Sequence, residues 1–78
     1  MERLALDSTT LDWARYSPKE HFLELGFCTG KVYLYFDVPL HCYQELLRAE
    51  SKGRYFNLHI RNHFRAQPVP TLTSGNQN

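Results

Sequence analysis

Residues 21–37 read HFLELGFCTGKVYLYFD, and this stretch decides the fold class. From His21 to Phe27, Leu23, Leu25 and Phe27 point one way while Phe22, Glu24 and Gly26 point the other, the two-residue period of a strand. Cys28-Thr29-Gly30-Lys31 is a tight reversal around Gly30. Val32 to Asp37 is the returning strand, apolar on both faces, with Val32, Leu34 and Phe36 on one and Tyr33 and Tyr35 on the other. A two-residue loop at Thr29-Gly30 sets Val32 opposite Phe27 and Leu34 opposite Leu25. A three-residue loop at Cys28-Thr29-Gly30 sets Tyr33 opposite Leu25 instead. One residue of slip exchanges the two faces, so both registers stay open at this point.

Upstream, Thr10 to Tyr16 alternates Leu11, Trp13 and Arg15 against Asp12, Ala14 and Tyr16, which suits a strand, and Ser17-Pro18-Lys19-Glu20 is a turn. Either this strand or Val32–Asp37 is expected at a sheet edge, a ready pairing site for another chain. Downstream, Asp37-Val38-Pro39 ends the strand and starts a helix, proline being favoured at the first helical position. The helix runs to Ala49 or Glu50, with Pro39, Tyr43, Leu46 and Leu47 on one face. Ser51-Lys52-Gly53 closes it, Gly53 suiting a left-handed cap. A second helix is expected over Tyr55 to Arg65. Phe56, Ile60 and Phe64 form its apolar stripe, and Arg54, Leu58, Arg61 and Arg65 a neighbouring basic one. Pro68 and Pro70 prevent its continuation. The expected fold is α+β: a three-stranded antiparallel β-meander followed by two α-helices packed on one face.

A chain of 78 residues supports one small domain. Residues 66–78, AQPVPTLTSGNQN, hold two prolines, a glycine and no charge, and are expected to be a disordered C-terminal tail. A core of such size supplies about 3–5 kcal/mol of net stability, which favours a binding surface over a deep catalytic pocket. The net charge is +1, unevenly spread. Residues 1–47 carry four basic and seven acidic side chains, while residues 48–78 carry five basic and one acidic. The C-terminal part is therefore basic. Cys28 and Cys42 form no metal or redox spacing, residues 1–7 lack the apolar run of a secretory leader, and no stretch approaches a membrane span. A cytoplasmic protein with free thiols is expected.

The sequence resembles the KTSC domain, a module found as a stand-alone bacterial protein and at the C-terminus of some lysyl-tRNA synthetases. The residues that carry the resemblance begin near Ser8 to Leu11 and continue through Leu23-x-Leu25-x-Phe27, Gly30, Tyr33-x-Tyr35 and Val38-Pro39. They finish with Ala49-x-Ser51-x-Gly53-x-Tyr55-Phe56-Asn57 and Ile60-Arg61. Leu34 departs from the pattern, standing where similar members often carry a polar residue. The resemblance implies an N-terminal extension over residues 1–7, a domain over residues 8–65, and a role in RNA binding drawn from the synthetase context.

The candidate site residues follow from chemistry. Tyr33 and Tyr35 would stack unpaired bases if exposed; if they face the helices they are core. Lys52, Arg54, Arg61 and Arg65 would track a phosphate backbone, or else form a solvated face. Asn57, in the helix–helix connection, would add a polar contact beside backbone N–H groups suited to phosphate, or else satisfy local backbone. His59 and His63 stand four apart without the further ligands a metal needs. No catalytic residue, metal, cofactor, membrane or small-molecule substrate is expected. The expected partner is RNA or tRNA, acting on a non-enzymatic binding module; the alternative is a protein–protein adaptor or a self-associating domain.

Overall fold

One extra residue in the second strand decides which side of the sheet becomes core. The computed structural model describes residues 2–71. It contains strands β1 (Leu4–Ala5), β2 (Leu11–Ser17), β3 (Phe22–Phe27), β4 (Val32–Tyr35) and β5 (Ala66–Val69). They form a single antiparallel sheet in chain order. Leu11 pairs with Phe27, yet Trp13 already pairs with Gly26, so a bulge lies between Leu11 and Trp13. A bulge reverses the alternation beyond it. Leu11, Ala14 and Tyr16 are fully buried as a result, while Trp13 and Arg15 turn to the opposite face and stay half-buried. The plain alternation that grouped Leu11 with Trp13 and Arg15 is corrected by this bulge.

In the central hairpin Leu25 pairs with Tyr33 and Leu23 with Tyr35, the register of the three-residue loop. Gly30 adopts φ 95° there, a conformation that costs glycine little. Leu23 and Leu25 are fully buried and Tyr35 is nearly so. Val32 and Leu34 accordingly share the face of Trp13.

The helical layer departs from expectation in three places. Helix α1 (Leu40–Arg48) starts after Pro39, which is an extended N-cap and not the first helical residue. Helix α2 (Lys52–Tyr55) begins where a cap was expected, and Gly53 is a buried helical residue within it. It runs directly into a π-helical turn, Phe56–Ile60. The helix then stops short of Arg65: Arg61 leaves the helical conformation at ψ 128°, and Asn62, left-handed at φ 66°, turns the chain back. Residues 66–69, expected within a disordered tail, pair instead with β4 as β5. The sheet thus has five strands rather than three, and neither β2 nor β4 is an edge. The actual edges are the two-residue β1 and the Pro68-bearing β5, both poor templates for strand addition. Residues 72–78 of the expected tail lie outside the described residues.

Both helices sit on the Tyr16 face. The rings of Tyr16 and Tyr43 stack at 5.0 Å, and the Tyr16 hydroxyl donates to the Val38 carbonyl at 2.6 Å. Phe56 meets Phe27 and Tyr35 edge-on, at 5.2 and 5.8 Å. No helix among the described residues covers the other side of the sheet, and none is long and apolar enough to cross a membrane.

Candidate nucleic-acid interface

Asn57, exposed on the π-helical turn, stands between two open grooves. The first has a volume of about 660 Å³ and is lined by five rings: Phe27, Tyr33, Tyr35, Phe56 and Phe64. Tyr33 is half-buried and meets Phe27 edge-on at 6.0 Å; its ring lies 6.5 Å from that of Tyr35. Both tyrosines therefore face the helical layer and border a groove; neither lies on the open side of the sheet. Arg61 and Asn57 line the same groove. An Arg61 Nη donates to Asn57 Oδ1 at 3.4 Å, tying the exposed guanidinium to the second polar residue of the groove. Burial pushes the Tyr35 hydroxyl pKa up to about 12; the Tyr33 hydroxyl adds to that rise and the Arg61 charge opposes it. Among the described residues Arg61 has no carboxylate partner; the one ion pair there joins Arg15 to Glu24 at 2.7 Å.

The second groove, about 630 Å³, runs between the Ser8–Thr10 loop and the start of α2. Ser8 Oγ accepts from the backbone N–H groups of Thr10 and Leu11, at 3.0 and 3.1 Å, which fixes the loop. Ser51 Oγ caps α2 by accepting from Arg54 N–H at 3.3 Å. Lys52 Nζ donates to the Ala49 carbonyl at 3.0 Å, satisfying the end of α1. Arg54 is exposed, but Asp7 and Glu50 also line the groove, so its charge is mixed.

The seven candidate residues thus divide. Tyr33, Tyr35, Asn57 and Arg61 gather at the ring-lined groove, and Lys52 and Arg54 join Asn57 at its neighbour. Arg65 belongs to neither. It precedes β5 and places its guanidinium 5.1 Å from the centre of Phe36, on the open side of the sheet. A continuous ridge from Arg54 to Arg65 needs one unbroken helix, and the helix ends at Ile60.

Two further reactive side chains, His59 and Cys42, are engaged structurally. His59 packs its ring on Tyr55 at 4.6 Å. Buried Cys42 lies 3.6 Å from the Tyr55 hydroxyl, which donates to Glu45 at 3.0 Å. Burial and these contacts raise the Tyr55 pKa. No group of three or more His, Cys, Asp or Glu side chains gathers among the described residues in a way that could hold a metal.

Sequence reasoning missed the open sheet face. It carries Trp13, Phe22, Val32, Leu34 and Phe36, all half-buried. A signal was present in the two-sided hydrophobicity of residues 32–36, but the bulge that sends Trp13 there leaves no mark in the hydrophobic pattern.

Residues 7–64 match the family model described as KTSC domain. A protein of Tsukamurella paurometabola is 41% identical over 61 residues, covering 78% of this chain and 91% of its own length. A lysine–tRNA ligase of a Nostoc species is 45% identical over 55 residues, 70% of this chain but only 10% of the ligase. The crystal structure of a KTSC domain protein from Yersinia pestis superposes with a TM-score of 0.86 at 29% identity, covering 88% of this chain and 97% of that one.

Proposed function

The chain belongs to the KTSC domain family, and on that footing we propose that it is a non-catalytic module that binds RNA, tRNA foremost, through the grooves on either side of Asn57. Arg61 carries the proposal. Its guanidinium has no carboxylate partner among the described residues, is steadied by Asn57, and lines a groove together with five aromatic rings. A cation of that kind attracts phosphate, and a ring-lined cleft beside an amide suits an unpaired base. A stacked base is worth about 1–3 kcal/mol, so one occupied groove would matter. The related segments of lysine–tRNA ligases support tRNA as the first ligand to try.

The test is a fluorescence-anisotropy titration of labelled tRNA and of a labelled single-stranded RNA, repeated across a salt series. Binding is expected to weaken steeply with salt. The Arg54→Ala, Arg61→Ala double variant is expected to bind roughly tenfold more weakly with an unchanged melting temperature. Absence of binding at low salt, or equal binding by the double variant, overturns the proposal.

A further inference from the structure

The uncovered side of the sheet is organised by three cation–π pairs. Arg3 lies 3.9 Å from the Trp13 ring centre, Arg15 lies 5.4 Å from Phe22, and Arg65 lies 5.1 Å from Phe36. Arg3 and Arg65 are exposed. Glu24, on this face, is taken by Arg15 at 2.7 Å. The result is an aromatic surface on which Arg3 and Arg65 each lie over a ring and, among the described residues, pair with no carboxylate.

We propose that this open face is a second nucleic-acid contact, a platform for single-stranded RNA. The inference rests on the RNA reading above but concerns the opposite side of the molecule. Charge selects the occupant. A second copy of the chain docked face to face would set the same arginines against one another, and like charges across an interface cost several kcal/mol. Strand addition is disfavoured by both edges. A single-stranded polyanion balances the two free cations, and its bases stack on aromatic rings and on guanidinium planes alike. An acidic protein segment would balance charge but leave the rings without stacking partners.

Trp13 is the only tryptophan in the chain and reports on this face alone, since the rings of the Tyr33 groove are tyrosine and phenylalanine. An unlabelled single-stranded oligoribonucleotide titrated into the full chain is expected to quench Trp13 emission, saturating together with the anisotropy of a labelled copy. The Arg3→Ala, Arg65→Ala double variant, altered only at exposed positions, is expected to lose most of the quenching and bind roughly tenfold more weakly, with a shallower salt dependence. Anisotropy that saturates while Trp13 emission stays constant overturns the platform and leaves the groove proposal standing. Quenching by polyglutamate but not by the oligoribonucleotide overturns it in favour of an acidic protein partner. Absence of RNA binding by either signal overturns both proposals.

Discussion

The indole of Trp13 lies directly across Gly26, its paired neighbour on β3, so closely that a Cβ at position 26 would collide with the indole Nε1 and Cε2. Glycine is required there for space. Gly26→Ala is expected to lift the indole off the sheet and break the Arg3 stack. Overpacking of this kind costs about 1–3 kcal/mol. Urea denaturation should show that loss, and a red-shifted Trp13 emission should show its cause. An unchanged spectrum would mean that the indole does not rest on Gly26.

Tyr16 and Tyr43 stack ring on ring, yet their hydroxyls differ. Tyr16 donates to the buried Val38 carbonyl, whereas the buried Tyr43 hydroxyl has no partner among the described residues. Tyr16→Phe strands the carbonyl and is expected to cost about 1–3 kcal/mol. Tyr43→Phe removes an unsatisfied group and is expected to be neutral or mildly stabilising. Thermal melts of the two variants side by side distinguish these outcomes, and equal losses would contradict the pairing.

How far the fold is legible depends on the range of the interaction. The central hairpin can be read from residues 21–37 because alternation and Gly30 are local signals. So can α1, from the spacing of Tyr43, Leu46 and Leu47. The loop register cannot, since two- and three-residue reversals differ only in how distant strands settle. The π-helical turn and Asn62 are also opaque: they follow from packing Phe56 and Ile60 against the sheet while returning the chain to β4. β5 looks like tail because AQPV has no alternation, and only the waiting edge of β4 makes it a strand. For the site, Tyr33, Tyr35, Asn57 and Arg61 are legible as chemistry, but their meeting in one groove is a tertiary fact.

Stability should fall in alkali, and Tyr35 should account for part of the fall. Its hydroxyl pKa is raised from 10.0 to about 12 by burial, and those of Tyr16, Tyr43 and Tyr55 are raised as well. A group whose folded pKa exceeds its unfolded one contributes in full below the unfolded value and loses that contribution as pH rises through the folded one. Resistance to urea is therefore expected to hold up to about pH 10 and to decline beyond it. Tyr35→Phe should flatten that decline, and an identical pH slope in the variant would show that the Tyr35 hydroxyl is not protected by the fold.

Gly53 offers the sharpest contrast between a turn glycine and a spacing glycine. As a left-handed cap, its replacement by alanine would be penalised by backbone strain. As the helical residue it is, its replacement is favoured by helix propensity, by about 1 kcal/mol. A Cβ there would stand 2.7 Å from Thr10 Oγ1 and 3.0 Å from Thr10 Cβ. Thr10 cannot simply swing away, because its backbone is held by Ser8 Oγ and its carbonyl accepts from Cys28 N–H at 2.9 Å. Gly53→Ala is thus expected to destabilise despite the propensity gain, and Gly53→Ala combined with Thr10→Gly to recover most of the loss. A double-mutant cycle followed by thermal denaturation measures this coupling. Additive losses would mean that α2 does not press on the Thr10 loop, and the groove between them would then owe its shape to something other than Gly53.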